Sequence, residues 1–388
     1  MSSSILSILL LATSGLVLFL YAVSRLALAL RHVAGDRVKG LLGRFTRTIP
    51  AAILTGTIVT TLLDSSSVVI ILAIALVSAG ALPFRNSLGV VLGANIGTTI
   101  SSQLFAFDLG QYAVVAMLPG LLLLSLSKKR QVRSAGRALF CFGLLFFSLF
   151  LIGEAAAPLK DYEGVRAWLV KLENPVRGAG AGALLTLILQ SSSATLGMVI
   201  KLAGKGLLPL SAGIAVMLGA ELGTCSDTLL ATIGRGPAAR KTGFFHLGFN
   251  LVSISLGLLL VNPFTDLVLR LAGSADVARQ IAHAHVLFNV AGVLLFAPLL
   301  PFCQRLLAPG SPISPNQPKP RPPCRPFDGP PLAVGPLPTI RVPAYAAHRA
   351  SVIGCAAWLF TSTSQSKRHV QPRREQAGCA HANALRAM

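Results

Sequence analysis

The stretch Thr60-Thr61-Leu62-Leu63-Asp64-Ser65-Ser66-Ser67 recurs in altered form as Thr186-Leu187-Ile188-Leu189-Gln190-Ser191-Ser192-Ser193. Each stretch interrupts an apolar run with three serines, after which the apolar run resumes. The offset between residues 64 and 190 is 126 positions, and without a gap it also pairs Gly93-Ala94 with Gly219-Ala220. The chain therefore contains two copies of one unit. Polar breaks at matching places in two apolar halves are the best sequence indication of a transporter's substrate site.

The composition indicates a membrane protein. Of 388 residues, 53% are hydrophobic and 12% are charged, and the mean hydropathy is +0.69. These values exclude a water-soluble globular protein of ordinary composition. Apolar runs that are predicted to be long enough to cross a membrane, judged against the ~20 residues that a bilayer core requires, lie near 5–30, 87–106, 110–127, 138–157, 208–233, 243–262 and 281–302. The first run is predicted to be a retained helix, because it is too long for a signal peptide and lacks a basic leader.

The segments that flank the serine triplets are each shorter than a membrane span. They cover 49–63 and 68–82 in the first copy, and 179–189 and 194–207 in the second. Each pair predicts a helical hairpin that enters and leaves on one side, with a single kinked span as the alternative. Placing the basic loops, the first of them at 31–47, in the cytoplasm puts three crossings between the hairpins. The second hairpin then enters from the opposite side, so the repeat is predicted to be inverted.

We therefore expect an all-α polytopic membrane protein with two inverted repeats, each containing a re-entrant helical hairpin, and a disordered C-terminal tail. The expected parts are a membrane transport domain at 1–305, with repeat 1 at about 5–127, repeat 2 at about 138–262 and a final helix at 281–302, and a tail at 306–388. The tail is rich in proline and basic residues, which indicates either disorder or a frameshift. The positive-inside rule predicts a multi-pass protein of the cell inner (plasma) membrane with a cytoplasmic tail.

The net charge of +21 does not indicate a nucleic-acid partner. The basic residues lie in loops and in the tail, whereas a nucleic-acid surface would be a folded patch with interleaved aromatics. Six cysteines without a CxxC pair indicate neither a disulfide framework nor a zinc site. We find no nucleophile–base arrangement and no nucleotide-binding loop. The chain is therefore predicted not to be an enzyme, to use no cofactor and to have no transition-metal site.

Each serine triplet is predicted to place groups for a cation and for an anion at one hairpin tip. A half-helix that begins after Ser67 or Ser193 presents backbone amides and a positive dipole end, which suit an oxyanion together with the serine hydroxyls. A half-helix that ends at Asp64 or Gln190 presents carbonyl oxygens, which suit a hard cation such as sodium. The backbone N–H and C=O groups that the helix break leaves unpaired need such a partner, because unpaired backbone groups are costly in a membrane.

A second repeated motif supplies further polar groups. Gly93-Ala94-Asn95-Ile96-Gly97-Thr98-Thr99 matches Gly219-Ala220-Glu221-Leu222-Gly223-Thr224-Cys225. Asn95 and Glu221 offer oxygens at equivalent positions, and Thr98 and Thr224 offer hydroxyls. The glycines alone predict close helix packing. Their register with the serine triplets in both copies favours a binding site instead.

These paired motifs closely resemble those of the type II sodium-dependent phosphate cotransporter family, in its bacterial branch. The resemblance covers about residues 10–305. It implies sodium-coupled phosphate transport by alternating access, with both hairpin tips facing one central site and sodium as the coupling ion. The C-terminal regulatory domain that bacterial members often carry is not expected here. The implied partners are inorganic phosphate, sodium and membrane lipid, without nucleic acid, and a homodimer is left open.

The resemblance also implies roles for individual residues. The phosphate-binding residues would be Ser65, Ser66, Ser67, Ser191, Ser192, Ser193, Thr98 and Thr224. The sodium-binding residues would be Asp64, Gln190, Asn95 and Glu221. Three positions depart from the family pattern, since Asp64 replaces glutamine, Glu221 replaces asparagine and Cys225 replaces threonine.

Asp64 leaves two interpretations open. An ionised carboxylate near the site would repel phosphate unless a cation lay between them. Asp64 is therefore either a sodium or proton ligand or the sign of a changed or lost anion specificity. The rival functions are transport of another oxyanion or a dicarboxylate, and a non-transporting membrane sensor or scaffold.

A His–Asn pair with the same spacing occurs twice in the sequence. His246 and Asn250, and likewise His285 and Asn289, are four positions apart and share a helix face. We predict that they form hydrogen bonds between helices, with a proton relay as the alternative. Asp227 could join a cation site or extend toward the membrane interface.

Overall fold

The computed structural model describes residues 5–34 and 36–307, which consist of helices and short connections. No strand occurs within these ranges, so the prediction of an all-α protein is confirmed for this part of the chain. The predicted tail at 306–388 lies outside the described residues from position 308 onward.

The described helices are numbered in chain order. They are α1 (Ile5–Ala34), α2 (Asp36–Phe45), α3 (Ile49–Leu63), α4 (Ser66–Ser78), α5 (Phe84–Gly97), α6 (Thr99–Ala106), α7 (Ala113–Leu126), α8 (Arg130–Ala156), α9 (Glu163–Val170), α10 (Pro175–Leu189), α11 (Ser192–Gly204), α12 (Leu210–Gly223), α13 (Cys225–Leu230), α14 (Pro237–Leu259), α15 (Val261–Ala272), α16 (Val277–Phe296) and α17 (Leu300–Leu306). Short 3₁₀ turns occupy Gly110–Tyr112, Ala157–Asp161 and Lys171–Glu173.

The duplication seen in the sequence is also present in the helix boundaries. The first residues of α3, α4, α5 and α6 precede those of α10, α11, α12 and α13 by the same 126 positions that separate Asp64 from Gln190. The caps repeat as well, since Thr48 accepts a hydrogen bond from the amide of Ala51, and Asn174 accepts one from the amide of Arg177. Side-chain caps of this kind fix where a helix begins. We call α3–α6 unit 1 and α10–α13 unit 2.

Two glycines allow unusually close packing within the units. A Cβ atom on Gly93 would lie 1.9 Å from the carbonyl oxygen of Ile53, and one on Gly219 would lie 1.8 Å from the carbonyl oxygen of Ala179. These glycines therefore bring α3 against α5 and α10 against α12. Small residues are what membrane proteins use at such contacts, so the packing role considered for these glycines is confirmed.

The buried apolar side chains form two groups. One group lies mainly among α3, α4 and α5 and includes Ile70 and Leu88. The other joins α8, α11, α12 and α16 and includes Leu149 and Leu196. The equivalent helices α4 and α11 thus pack in different cores.

The helix lengths support a multi-pass membrane protein. Within the described ranges, four helices are long and apolar enough to cross a membrane: Ile5–Val33, Phe84–Ala106, Arg130–Asp161 and Pro237–Leu259. A fifth is counted if Val277–Phe296 and Leu300–Leu306, which meet at a bend of 68°, form one span. The predicted runs at 110–127 and 208–233 are helical but do not meet these criteria. The inverted orientation depends on counting them as crossings, so it stays a prediction.

Residues 31–47, which we expected to form a loop, contain the ten-residue helix α2. Val38 and Leu42 are buried and lie four positions apart, which places them on one face of a helix. We did not predict this helix because the segment was interpreted as a loop from its many basic residues.

The same substitution at two equivalent threonines is expected to have different effects on stability. The Thr186 hydroxyl lies 2.8 Å from that of Thr195, whereas the buried Thr60 hydroxyl has no hydrogen-bond partner among the described residues. Position 69, equivalent to 195, is a valine. Thr186→Val should therefore lower the free energy of unfolding by about 1 kcal/mol, and Thr60→Val should leave it unchanged or raise it.

Thermal unfolding of both variants in the same detergent measures this difference. Equal losses of stability would contradict the assignment of the Thr186–Thr195 hydrogen bond.

Candidate functional site

The chain turns at both serine triplets through the same backbone conformation. Asp64, directly after α3, has φ 51° and ψ 38°, and Gln190, directly after α10, has φ 52° and ψ 33°. This left-handed conformation ends a helix but is uncommon for residues other than glycine. Ser65 and Ser191 then begin the next helices by accepting hydrogen bonds from the amides three residues later, at 3.3 Å and 3.1 Å. Strained backbone of this kind concentrates at functional sites.

The second serine triplet lies at the tip of a hairpin rather than at a kink. The hydroxyls of Thr186 on α10 and Thr195 on α11 are 2.8 Å apart although nine positions separate them. Nine residues of continuous helix would place them about 13.5 Å apart, so the chain must reverse. Asp64 has nearly the same dihedral angles as Gln190, which indicates that α3 and α4 are joined by the same reversal. We call α3 with α4 hairpin 1, and α10 with α11 hairpin 2.

Asp64 is the point at which the tips of the two hairpins meet. Its carboxylate accepts a hydrogen bond from Ser101 on α6, and Ser193, the third serine of hairpin 2, lies near it. Two predicted site residues from different hairpins are thus close together. One of them, Asp64, was predicted to bind sodium, and the other, Ser193, was predicted to bind phosphate.

A second carboxylate, in unit 2, has the equivalent relation to a serine of unit 1. The side chain of Asp227, on α13, lies near Ser67, the third serine of hairpin 1, while the adjacent Ser226 donates its hydroxyl to the carbonyl of Gly223 at 2.8 Å. Positions 67 and 193 are equivalent under the repeat offset. The third serine of each hairpin therefore lies near a carboxylate that belongs to the other unit.

The threonines of the second motif are hydrogen-bonded within their own helices. Thr98 donates to the carbonyl of Asn95 at 2.9 Å, and Thr224 donates to the carbonyl of Glu221 at 2.6 Å. Both threonines have right-handed helical dihedral angles, so the interruptions between α5 and α6 and between α12 and α13 are slight. Their predicted contact with phosphate would require these donors to be redirected.

Glu221 and Asn95 occupy equivalent positions but have different partners. The Oε1 atom of Glu221 lies 2.8 Å from Nε2 of His285 on α16, and both side chains are buried. The other ring nitrogen of His285 is hydrogen-bonded to Ser102 at 2.5 Å. Asn95 instead donates to the carbonyl of Val91 in its own helix. Glu221 is therefore held by a basic side chain.

The histidines of the His–Asn pairs link helices as predicted, whereas Asn289 donates only within α16, to the carbonyl of His285. His246 on α14 is hydrogen-bonded to Thr228 on α13 at 2.8 Å and to Asn250 at 3.0 Å. His285 joins α16 to α6 and to α12 through its two ring nitrogens. Interhelical hydrogen bonding is thus confirmed for both histidines.

The remaining predicted residues are spread around this centre. Ser66 and Ser192 are buried in the first turns of α4 and α11, and Gln190 is exposed at its tip. Asp64 and Ser101 also line a cavity of about 380 Å³ whose other walls are mostly apolar and come from α1, α3, α6 and α8. No group of three His, Cys, Asp or Glu side chains that could hold a metal ion occurs among residues 5–34 and 36–307.

The sequence analysis did not include Ser101, Ser102 and His285 among the site residues. One signal could have revealed the two serines. The repeat offset pairs Ser101 with Asp227 and Ser102 with Thr228, so each has a polar counterpart in the other unit. Serine in an apolar helix otherwise gives little indication of function.

Comparison with known proteins identifies related sequences over most of the chain. The profile of a family described as Na+/Pi-cotransporter matches residues 18–154 and again residues 161–296. The chain is 30% identical to the uncharacterized protein YqeW of Bacillus subtilis (strain 168) over 296 residues, which are 76% of this chain and 95% of that protein. No solved structure gives a significant match.

Two further relatives carry functional names. The putative inorganic phosphate export protein YjbB of Escherichia coli (strain K12) is 25% identical over 301 residues, which are 76% of this chain. The aligned part is 55% of that protein, so the chain spans about half the length of this relative. The sodium-dependent phosphate transport protein 2A of Ovis aries is 36% identical over 66 residues, 17% of this chain and 10% of that protein.

Proposed function

We propose that this chain, which belongs to the Na+/Pi-cotransporter family, uses a sodium gradient to move inorganic phosphate across a membrane by alternating access. Members of this family are described as cotransporters, which agrees with the expectation that the chain is not an enzyme. Relatives named for phosphate export and for sodium-dependent phosphate transport support phosphate as substrate and sodium as coupling ion. The inner membrane as location and a cytoplasmic tail are part of the same proposal.

The observation that carries the proposal is the proximity of the two hairpin tips. Ser193 of hairpin 2 lies near Asp64 of hairpin 1, so both tips border the same region of the protein. Each tip also ends one helix and begins another, and the new helices, α4 and α11, have 13 residues each. Their N-terminal amides and dipoles favour an anion, and the carboxylate with its hydroxyl neighbours favours a cation.

Proximity of an anion and a cation explains why their transport would be coupled. Phosphate placed at the serines would be repelled by Asp64 at close range, and a sodium ion between them turns this repulsion into attraction. Binding of either ion therefore raises the affinity for the other, because such coupling is reciprocal.

Phosphate uptake into proteoliposomes tests the proposed function. An inward sodium gradient is expected to accelerate uptake of radiolabelled phosphate relative to an equal potassium gradient. Stronger inhibition by excess sulfate or a dicarboxylate than by unlabelled phosphate would favour the rival substrates. Absence of any uptake by protein that elutes as a single folded species would favour a sensor or scaffold.

Asp64→Asn is expected to weaken sodium dependence more than substrate selectivity. Loss of the carboxylate should raise the half-saturating sodium concentration about tenfold, equivalent to about 1.4 kcal/mol, while the preference for phosphate over sulfate is retained. The measurement is initial uptake as a function of sodium. Unchanged sodium activation would remove Asp64 from the cation site, and a lost preference for phosphate would assign it to anion specificity.

A further inference from the structure

A cavity of about 250 Å³ lies between α2 and α3, the first arm of hairpin 1. Its lining is formed by Leu41 and Phe45 of α2 and by five residues of α3 between Ala51 and Val59. One of these five, Thr55, donates its hydroxyl to the carbonyl of Phe45 at 3.3 Å. The other lining side chains are apolar, so the cavity suits an apolar group.

The apolar side chains around this cavity are left open by the described residues. The exposed fractions of Phe45, Leu54 and Ile58 are 54%, 61% and 48%. Leu54 and Ile58 lie four positions apart and share a face of α3, as Leu41 and Phe45 share a face of α2. Two apolar stripes therefore border the cavity, and such a surface marks a contact with lipid or with another protein.

Basic side chains lie at the connection between α2 and α3, at one end of the cavity. Arg44 is three positions after Leu41, so the two share a face of α2. Arg47 lies two positions before Ile49, the first residue of α3. Both arginines are exposed, and a long arginine side chain can extend along apolar surface toward a charged partner. One end of the apolar cavity is therefore positively charged.

A third arginine is held near this connection, and all three lack an acidic partner. The side-chain amide of Asn86 donates to the carbonyl of Arg47 at 3.3 Å, which places the adjacent, exposed Arg85 at the same end of the protein. Positions 37–63 and 65–107 contain no Asp or Glu. None of the ion pairs among the described side chains includes Arg44, Arg47 or Arg85. The connection therefore attracts an anion from outside the chain.

The length of the cavity matches one leaflet of a bilayer. Ala51 and Val59 are eight positions apart, which is about 12 Å along a helix. One leaflet contributes half of a hydrocarbon core that is ~30 Å thick. The arginines lie at one end of this length, as lipid headgroups do. The basic segment 31–47 is predicted to face the cytoplasm, so the matching leaflet is the cytoplasmic one.

We propose that this cavity binds an anionic phospholipid of the cytoplasmic leaflet. One acyl chain lies against Leu54 and Ile58, and Arg44 and Arg47 bind the phosphate group, whose oxygens suit the fork of donors on a guanidinium group. Basic residues near the membrane surface strengthen binding to anionic lipid. The bound lipid holds α3 against α2, and its binding is independent of the ion that the protein transports.

The charges favour this occupant over two others. A zwitterionic lipid could fill the same space, but its zero net charge would leave the arginines unbalanced. A second copy of the chain, in the symmetric contact that is commonest for homodimers, would present the same surface. Arg44 and Arg47 would then face like charges. An anionic lipid alone supplies both the apolar chain and the negative charge.

Thermal unfolding of the purified full-length protein in mixed micelles tests the inference. A ligand that binds only the folded state raises stability according to its concentration and dissociation constant. Dioleoylphosphatidylglycerol should raise the unfolding temperature of the wild type more than dioleoylphosphatidylcholine at equal mole fraction. In the double variant Arg44→Gln with Arg47→Gln, the mole fraction of dioleoylphosphatidylglycerol for half of this rise should increase about tenfold.

A matched control separates this site from general surface charge. Arg130→Gln with Arg133→Gln removes the same charge from exposed positions at the start of α8, another segment that is predicted to be cytoplasmic, and should match the wild type. Glycerophosphoglycerol, the same headgroup without acyl chains, should not raise the unfolding temperature. This result distinguishes a lipid from a free phosphate compound.

A second variant tests the apolar part of the site while both arginines are kept. Ala51→Phe places a ring in the cavity, and it should reduce the effect of dioleoylphosphatidylglycerol to that of dioleoylphosphatidylcholine. If either variant does not fold, the other decides, because each removes one half of the same site.

Four results overturn the inference. They are an equal rise with the two lipids in the wild type, an unchanged response to dioleoylphosphatidylglycerol in either folded variant, an equal loss of response in the α8 control, and stabilisation by glycerophosphoglycerol alone. An unfolding temperature that rises with protein concentration without added lipid, and does so less in Ala51→Phe, would assign the cavity to a second copy of the chain instead.

Discussion

Replacing Gly219 with alanine is expected to abolish phosphate uptake, because α10 and α12 could no longer pack at their observed separation. The new Cβ atom would lie 1.8 Å from the carbonyl oxygen of Ala179 and 2.5 Å from its carbonyl carbon. Both are backbone atoms of a helix, so neither can rotate away as a side chain would. The destabilisation should therefore exceed the about 1–3 kcal/mol that is typical of overpacked side chains.

The measurements are the yield of folded protein after detergent extraction and its uptake rate in proteoliposomes. Gly180→Ala is the matched control, because Gly180 is exposed on α10 and an added Cβ would have no heavy atom within 4 Å. The control should keep full activity and gain up to about 1 kcal/mol from helix propensity. Equal yield and uptake for the two variants would show that the close α10–α12 contact is not required.

The helix boundaries near the hairpin tips could be predicted from the sequence because they depend on local chemistry. The expected segment 49–63 coincides with α3. The next segment was expected at 68–82, but α4 begins at Ser66. Ser65 caps that helix, so the second and third serines belong to its first turn rather than to the break.

The contacts of the site could not be predicted because they join residues far apart in the sequence. Asp64 comes near Ser193, and Glu221 contacts His285, only after several helices have packed. The repeat offset relates equivalent positions, but it does not say which helix outside the units will face them. Glu221 was thus predicted to bind sodium from its position alone. Its partner in the structure is His285 on α16, which lies outside the motif.

The pattern of apolar residues had a similar limit. It predicted the positions of the long helices, since their apolar runs exceed the bilayer thickness. It placed α12 and α13 in one run at 208–233, which the glycine-flanked motif at 219–225 was expected to break, and the structure divides that run at Thr224, where the dihedral angles stay helical. An apolar run indicates that a segment is hydrophobic. It does not indicate the direction of the helix, which depends on packing against other helices.

Replacing His285 with alanine is expected to lower the free energy of unfolding by more than about 1–3 kcal/mol, the range for leaving a buried polar group without its hydrogen-bond partner. The imidazole lies 2.8 Å from the Glu221 carboxyl group, and the exposed fractions of the two side chains are 0% and 3%. Its loss would leave that carboxyl group buried without a basic partner. It would also remove the hydrogen bond between α16 and Ser102 on α6. Thermal and denaturant unfolding in detergent measure the loss.

Part of this loss would come from the cavity that the missing ring leaves behind, and a second substitution separates the two contributions. In the double variant His285→Ala with Glu221→Gln the cavity remains, but a neutral amide replaces the unpaired carboxyl group, so stability should partly recover. His283→Ala is the control, because His283 is exposed on the same helix and should lose little. If the double variant is no more stable than His285→Ala, the unpaired carboxyl group contributes nothing, and the cavity with the lost Ser102 hydrogen bond accounts for the whole effect.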